Sequence, residues 1–368
     1  MRKKHMLSLK PENTLPNSNF AKVEKALKLS HHRWILLGLA TLSIVSTLFA
    51  LGLGAAVIAP DRVAQIVGHH LFNSPSNISW SLGEDAIIWQ VRTPRVLLGA
   101  VVGATLATSG LVLQAITRNP LAEPHILGVS SGASTGAALA ILFGFGASLG
   151  GHSITIMAFA GALASMLLVL SLARVGGAIT PGKMLVSGVA VSYLLNAFTS
   201  LLVMFNDSEQ GARSVMFWLM GSLGRADWAT LPAITFISSA GIFLMWWWRR
   251  RLDLLTIGDD STRASGVDPE RTRLVLIVVV SLCVAASVAA SGGIGFLGLA
   301  VPHFARRFLG ATHRAAVPAT AILGALLLVW ADVLARMLIR PGEMPIGVIT
   351  AISGAPILVI LVRRLQTS

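Results

Sequence analysis

The chain has 368 residues, of which 54% are hydrophobic and 12% are charged, and its mean hydropathy is +0.74. This composition excludes an ordinary water-soluble domain, in which about 25% of residues are charged, and indicates a protein that crosses a membrane several times. The net charge of +13 does not indicate nucleic-acid binding, because the basic residues lie between apolar runs and not in a stripe with aromatic residues.

The chain begins with a polar, basic segment that contains scattered Pro, Asn and Ser residues. We predict a flexible cytoplasmic arm over 1–33, with a membrane-surface helix over 20–33 as the alternative, followed by a transmembrane domain over 34–368. The first apolar run, 34–58, is too long for the hydrophobic region of a signal peptide. It therefore predicts an uncleaved membrane anchor.

Apolar runs of about the 20 residues that cross a bilayer recur along the rest of the chain. In chain order the runs cover 34–58, 96–117, 126–146, 153–173, 184–205, 230–248, 274–290, 294–309, 316–338 and 346–362. They predict an all-α polytopic membrane protein with about ten transmembrane helices. Small residues recur every four positions in the second and third runs, for example at Gly99, Gly103 and Ala107, which predicts close helix–helix packing.

The positive charges indicate how these helices are oriented. With ten spans and a cytoplasmic N-terminus, the cytoplasmic segments hold roughly three times as many Lys and Arg residues as the outer segments. Three tryptophans at 246–248 precede three arginines at 249–251, which fits an aromatic belt at the cytoplasmic interface. We therefore expect both termini to be cytoplasmic.

Ionisable residues inside the runs are few, and Asp332 is the one clear carboxylate. It lies one helical turn before Arg336, so we expect an ion pair near the outer end of that helix. A proton- or sodium-coupled transporter would need buried carboxylates or an ion site at a broken helix. The sequence has no G-x-x-x-x-G-K-[ST] loop, so a separate subunit must bind ATP if ATP drives transport. It also shows no catalytic motif and no metal-ligand spacing, and its single cysteine, Cys283, excludes an intrachain disulfide.

The longest predicted cytoplasmic loop after the arm covers 249–274 and carries strong helix-capping signals. The Asp-Asp-Ser segment at 259–261 can begin a short helix, and Gly266 can end it in the left-handed conformation. Asp268 and Pro269 can then begin the next helix. We predict a compact helix–turn–helix, which is either a well-capped connection or a docking element for a partner.

A glycine-rich stretch, SGGIGFLGLAVPHFARR, covers 291–307. Its glycines allow a sharp turn back into the membrane and close backbone contact. We expect Pro302 to limit the short helix that follows, and His303 to be a structural residue and not a metal ligand. The pattern Leu-Ala-x-Pro-His occurs at 121–125 and again at 299–303, which is consistent with duplicated halves.

Five stretches, in this order, resemble the FecCD-type permease subunits of ABC importers for iron–siderophores, haem and cobalamin. They are residues 89–134, FWLMGSL at 217–223, the loop at 257–268, residues 292–307 and residues 331–364. Two positions depart from the family pattern, since Thr93 and Ser265 stand where leucine is usual. The resemblance covers about residues 34–364 and does not include the N-terminal arm.

The resemblance implies a cobalamin-importer-like bundle of ten helices in the bacterial cytoplasmic (inner) membrane. Two permease subunits, as a homodimer or heterodimer, would enclose one pathway. Two ATP-binding subunits would use the ATP, an extracytoplasmic substrate-binding protein would sit on the outer face, and the permease would bind no cofactor directly. We expect alternating access along a largely uncharged pathway, with an iron chelate, above all a ferric siderophore, as substrate. The alternatives are haem or cobalamin import by the same mechanism, and an ion-coupled secondary transporter.

The resemblance also implies roles for three groups of residues. Arg92, Arg95 and Arg336 would dock the binding protein. For the first two, the alternative is that they only extend to the membrane interface, as long basic side chains commonly do. The ATPase-coupling loop comprises Gly258, Asp259, Asp260, Ala264, Gly266 and Val267. The inner gate comprises Asn119, Leu121, Pro181 and Gly182.

Overall fold

The computed structural model describes residues 18–54, 56–175, 177, 179–339 and 342–367, and within them every regular element is helical. The α-helices in chain order are α1 (Ser18–Gly52), α2 (Pro60–Phe72), α3 (Leu82–Asp85), α4 (Thr93–Thr117), α5 (Val129–Phe143), α6 (Ser153–Arg174), α7 (Pro181–Met204), α8 (Glu209–Leu219), α9 (Leu231–Trp247), α10 (Arg249–Ile257), α11 (Asp259–Ala264), α12 (Pro269–Ser291), α13 (Leu297–Leu309), α14 (His313–Leu338) and α15 (Ile346–Thr367). A π-helical turn, Ala86–Arg92, joins α3 to α4. The predicted all-α class is confirmed.

The backbone of the N-terminal arm is helical where the structure describes it, as in the alternative of a helix over 20–33, and the flexibility of the arm stays a prediction. Residues 1–17 of the predicted arm lie outside the described residues. The backbone over 18–33 is helical and continues without a break into the first span, so α1 has 35 residues. The segment AKVEKALKL, at 21–29, is rich in strong helix formers, and this explains why the helix begins before the apolar run.

Each of the ten apolar runs contains one helix, but the helices differ in length. Among the described residues, six stretches are long and apolar enough to cross a membrane, and a seventh is added if α9 and α10, which meet at a 58° bend, count as one broken span. The six are Trp34–Gly52, Leu82–Thr117, Ala147–Arg174, Pro181–Met204, Pro269–Ser291 and His313–Leu338. Since α5 has 15 residues and α13 has 13, the count of ten spans stays a prediction.

Helix α4 lies at the centre of the bundle, and glycine allows its close contacts. A Cβ atom on Gly103 would lie 2.3 Å from the carbonyl oxygen of Gly324 in α14, and a Cβ atom on Gly110 would lie 2.0 Å from the carbonyl oxygen of Gly298 in α13. Neither helix could approach α4 so closely past a larger residue. The close packing predicted from the small-residue pattern is confirmed at these positions.

The glycine-rich stretch forms the predicted sharp turn followed by a short helix. Helix α12 ends before Gly292, which has a φ of +70°, and α13 begins at Leu297. The expectation for Pro302 was wrong, because this buried residue lies inside α13 and does not end it. Proline leaves the carbonyl four residues earlier without its helical donor, and here the side-chain Nε2 of Gln114 donates to that carbonyl, on Gly298, at 3.2 Å.

Candidate functional site

The predicted coupling loop is a compact helical element over 249–268. Gly258, with φ +152°, separates α10 from α11. The end of α11 is closed by two backbone hydrogen bonds, from Gly266 N to Arg263 O at 2.9 Å and from Val267 N to Thr262 O at 3.2 Å, which form a Schellman motif. Asp268 then accepts from the first backbone N–H groups of α12. The predicted helix–turn–helix is confirmed.

The predicted coupling residues divide into an exposed set and a partly buried set. The exposed residues are Asp260, Ala264 and Gly266, and the partly buried ones are Gly258, Asp259 and Val267. The exposed residues form the tip of α11 and the turn after it. This tip can contact another protein, whereas the partly buried residues contact the rest of the chain.

Asp259 ties the base of this element to two distant helices. Its Oδ1 accepts from Arg273 Nη2 in α12 at 2.9 Å and from Arg118 Nη2 at the end of α4. Arg118 also donates from Nε to the carbonyl oxygen of Leu255 at 2.9 Å. Charge-assisted hydrogen bonds, which are stronger than neutral ones, therefore connect the base of α11 to α4 and α12.

Sequence reasoning missed the roles of Arg118 and Arg273. It also missed a second contact between this element and the bundle, at His313. The side-chain Nδ1 and the backbone N–H of His313, at the start of α14, lie 2.6 Å and 3.0 Å from Asp253 Oδ1 in α10. These pairs join residues between 14 and 141 positions apart in the chain. No local pattern signals such pairs, so the fold alone reveals them.

Three of the four predicted gate residues meet at one cleft of about 200 Å³. Asn119, Pro181 and Gly182 all line it. Leu121 does not line this cleft, but its backbone N–H donates to Asn119 Oδ1 at 2.9 Å and so fixes the turn after α4. The structure therefore brings the 118–125 and 179–184 turns together, and their action as a gate stays a prediction.

The three predicted docking arginines lie in a buried cluster at the predicted outer end of the bundle. Arg95 donates from Nε to Asp332 at 2.9 Å, and its Nη1 and Nη2 donate to Glu343 at 2.7 Å and 3.0 Å. Arg336 forms the predicted ion pair with Asp332 at 3.0 Å. Each arginine of this cluster is at most 7% exposed.

The other contacts of Arg336 and those of Arg92 fasten the end of α1. Arg92 donates to the carbonyl oxygens of Leu51 and Gly52 at 2.9 Å and 3.1 Å, and Arg336 donates to the carbonyl oxygen of Leu53 at 2.8 Å. In this structure the guanidinium groups of all three arginines are thus occupied within the chain. Their use in docking a binding protein stays a prediction.

Comparison with known proteins agrees with this architecture. The sequence pattern of the FecCD transport family matches residues 42–364. The hemin transport system permease protein of Yersinia pestis is 38% identical over 291 residues, which cover 77% of this chain and 86% of that protein. The Fe(3+)-citrate import system permease protein of Bacillus subtilis is 36% identical, with 88% of this chain and 93% of that protein covered.

A permease for a vitamin and a solved structure cover similar shares of this chain. A vitamin B12 import system permease protein of Salmonella paratyphi A is 36% identical over 90% of this chain and 95% of its own length. A solved structure of a metal-chelate type ABC transporter, in an inward-facing conformation, is 33% identical with a TM-score of 0.77, and covers 90% of this chain and 99% of that chain. With a family pattern that extends over most of its length, this chain belongs to the FecCD transport family and is a permease subunit of an ABC importer.

Proposed function

We propose that this permease imports an iron chelate, with a ferric siderophore as the first choice, by alternating access driven by a separate ATPase. The relatives named for hemin and Fe(3+)-citrate import support an iron-containing substrate. The competing substrates are cobalamin, which the relative named for vitamin B12 supports, and haem, which the relative named for hemin supports. The complete importer would contain a second permease subunit, two ATP-binding subunits and an extracytoplasmic binding protein.

The observation that carries this proposal is the exposed tip of α11, together with the ties at its base. Asp259 holds α11 to helices α4 and α12 through hydrogen bonds to Arg273 and Arg118. A partner that binds the tip would therefore move α11 together with these helices as one rigid body. The turn that follows α4 carries Asn119, which lines the candidate gate cleft. Movement of the tip would therefore shift the packing around the gate, as small displacements do between packed helices.

The carboxylates in the candidate spans give no support to an ion-coupled mechanism. Within the six described spans they are Glu84 and Asp85 at the start of the second, Glu270 at the start of the fifth, and Asp332. Asp332 is bound by Arg95 and Arg336. A carboxylate held by two arginines is poorly suited to take up and release a proton or a sodium ion.

The test compares one bulky substitution at the tip with the same change at a matched position. Gly266 and Gly150 both have a positive φ, of +76° and +63°, and both face open space. We expect Gly266→Trp to abolish co-purification of the ATPase, and Gly150→Trp, on the predicted outer side, to leave it unchanged. Equal retention of the ATPase by both variants would contradict the proposal.

A transport assay identifies the driving force and the substrate. The assembled importer in liposomes should take up ferric siderophore only when ATP is inside with the ATPase. Uptake by the permease alone, driven by a proton or sodium gradient, would instead identify a secondary transporter. Parallel assays with haem and cyanocobalamin, each with its own binding protein, separate the three substrate classes.

A further inference from the structure

A cleft of about 500 Å³ opens on the predicted outer side of the bundle, next to the buried arginine cluster. Its walls come from one face of α8, the turn after α8, the end of α12 and the segment before α15. The volume is in the range of pockets that hold small molecules. The cleft is separate from the gate cleft at Asn119 and from the α11 tip.

The cleft carries two cations and several hydrogen-bonding groups. Gln210, Arg213 and Ser214 lie at neighbouring positions on one face of α8, and Ser222 and Arg225 lie on the turn opposite. Hydroxyl, amide and guanidinium donors therefore converge on one space. Oxygen-rich anions are the ligands that such a donor set fits best, because guanidinium groups bind carboxylates in a forked geometry.

These two arginines are poorly compensated within the chain. Arg213 has one acidic neighbour, Glu209, at 3.6 Å, and both side chains are more than 80% exposed. In the part of the chain that the structure describes, Arg225 has neither a hydrogen bond nor an ion pair, and the cleft walls partly desolvate it, which lowers the pKa of its guanidinium group. A ligand carboxylate would supply the missing counter-charge.

Among the described residues that line the cleft, the one carboxylate is already neutralised. Glu343 lies at the edge of the cleft, and both of its oxygens accept from Arg95, at 2.7 Å and 3.0 Å. Glu343 therefore presents little free negative charge to an incoming anion. The lining as a whole favours negatively charged ligands.

We propose that this cleft is an entry site that holds the anionic oxygens, carboxylate or catecholate, of an iron chelate delivered to the permease. The inference rests on the proposed function for the direction of delivery, and it narrows the substrate class to chelates that carry net negative charge. A neutral corrinoid would leave Arg213 and Arg225 without counter-charges. A concave cleft of about 500 Å³ also fits a small molecule better than the flat surface of a protein.

The test uses ferric citrate as an anionic probe and the complete importer in nanodiscs. Equilibrium dialysis measures retention of radiolabelled ferric citrate, with cyanocobalamin as the neutral probe. Both arginines are exposed, and exposed charge contacts are weak, so we expect about a ten-fold rise in Kd for the double variant Arg213→Gln, Arg225→Gln. The double variant Arg213→Lys, Arg225→Lys should recover part of the affinity, and cyanocobalamin should show no difference among them.

Arg62→Gln is the matched control, because it removes a partly exposed arginine from the same predicted face but outside the cleft. Arg62 donates to the carbonyl oxygen of Ser79 at 2.7 Å, so helical content and monodispersity are measured for every variant. Unchanged retention in the double glutamine variant, or an equal loss in Arg62→Gln, would overturn the inference. So would failure of the wild-type complex to retain ferric citrate.

Two further outcomes distinguish this inference from a protein-docking role of the cleft and from the proposed function. If the double glutamine variant fails to capture the binding protein and still retains ferric citrate, the cleft is a protein-docking surface and the inference is wrong. If the wild-type complex retains ferric citrate through Arg213 and Arg225 but shows no ATP-driven uptake of any probe, the entry site stands and the proposed function fails.

Discussion

At the scale of single residues, Asp259 is the most informative position in the chain. It is about one-third exposed, but one of its partners, Arg273, is only 3% exposed. Arg273 has few other acceptors, because its Nη1 reaches the carbonyl oxygen of Ile179 at 3.4 Å and its Nε has no partner among the described residues. Asp259 is thus the main counter-charge for a buried cation, which is costly to leave unpaired.

Substituting Asp259→Asn should loosen the 249–268 element from the bundle. We expect a loss of about 1–2 kcal/mol, since the partial exposure of the carboxylate reduces the effect below that of a fully buried pair. Thermal unfolding in detergent measures this loss, and ATP-driven uptake should fall with it. Asp268→Asn is the control, because asparagine caps a helix about as well as aspartate. Equal stability and uptake in the two variants would refute a special role for Asp259.

The residues at the predicted outer face show which contacts sequence reasoning could and could not predict. The Asp332–Arg336 pair was predictable because the two residues are one helical turn apart. The burial of Arg92 and Arg95 was not, because it depends on carbonyl groups at the end of α1 and on Glu343, 248 positions from Arg95. Local spacing carries information about contacts within one helix and almost none about contacts between distant helices.

At the scale of elements, α13 shows how the bundle accommodates a helix with an internal proline. The Gly298 carbonyl, which Pro302 leaves without a helical donor, is buried against α4 and accepts from Gln114 Nε2. The same Gln114 accepts through Oε1 from Arg306 Nη2, and Arg306 lies about two turns after Gly298 in α13. One side chain of α4 therefore contacts α13 at two points about two turns apart.

A double-mutant cycle on Gln114 and Pro302 tests this account. Gln114→Leu should destabilise the protein by about 1–3 kcal/mol, because it leaves the buried Gly298 carbonyl unsatisfied. In a Pro302→Ala background the new backbone N–H can donate to that carbonyl, so Gln114→Leu should cost less there. Thermal unfolding of the four proteins gives the coupling energy. A coupling of zero would mean that Gln114 acts only through Arg306.

The positions of the elements were largely readable from the sequence, and their exact extents were not. Apolar runs located every helix of the bundle core because bilayer-length hydrophobic stretches are a strong signal. The start of α1 at Ser18 lies close to the alternative of a helix over 20–33, and helix propensity accounts for it. The continuation of α13 through Pro302 was missed, because it depends on a hydrogen-bond donor from another helix.

At the scale of the whole molecule, the membrane topology depends on whether α5 crosses the membrane. Its 15 residues span about 22 Å at 1.5 Å per residue, less than the roughly 30 Å of a bilayer core. Glycines with positive φ, Gly128 and Gly144, lie at its two ends. If α5 crosses, five spans separate the α2–α3 region from the α11 tip, and the two lie on opposite sides of the membrane.

Cysteine labelling tests whether the number of spans between the α2–α3 region and the α11 tip is odd or even. It thereby identifies the side of the membrane on which the ATPase can dock. Ser76, Ser148 and Ser265 are exposed, and the native Cys283 is 1% exposed, so the unmodified chain is its own unlabelled control. In spheroplasts, a membrane-impermeant maleimide should label Ser76→Cys and Ser148→Cys, and should reach Ser265→Cys only after permeabilisation. If α5 does not cross, the reagent will instead label Ser265→Cys and not Ser148→Cys in intact spheroplasts. The tip of α11 would then lie on the outer side of the membrane, and a cytoplasmic ATPase could not bind it.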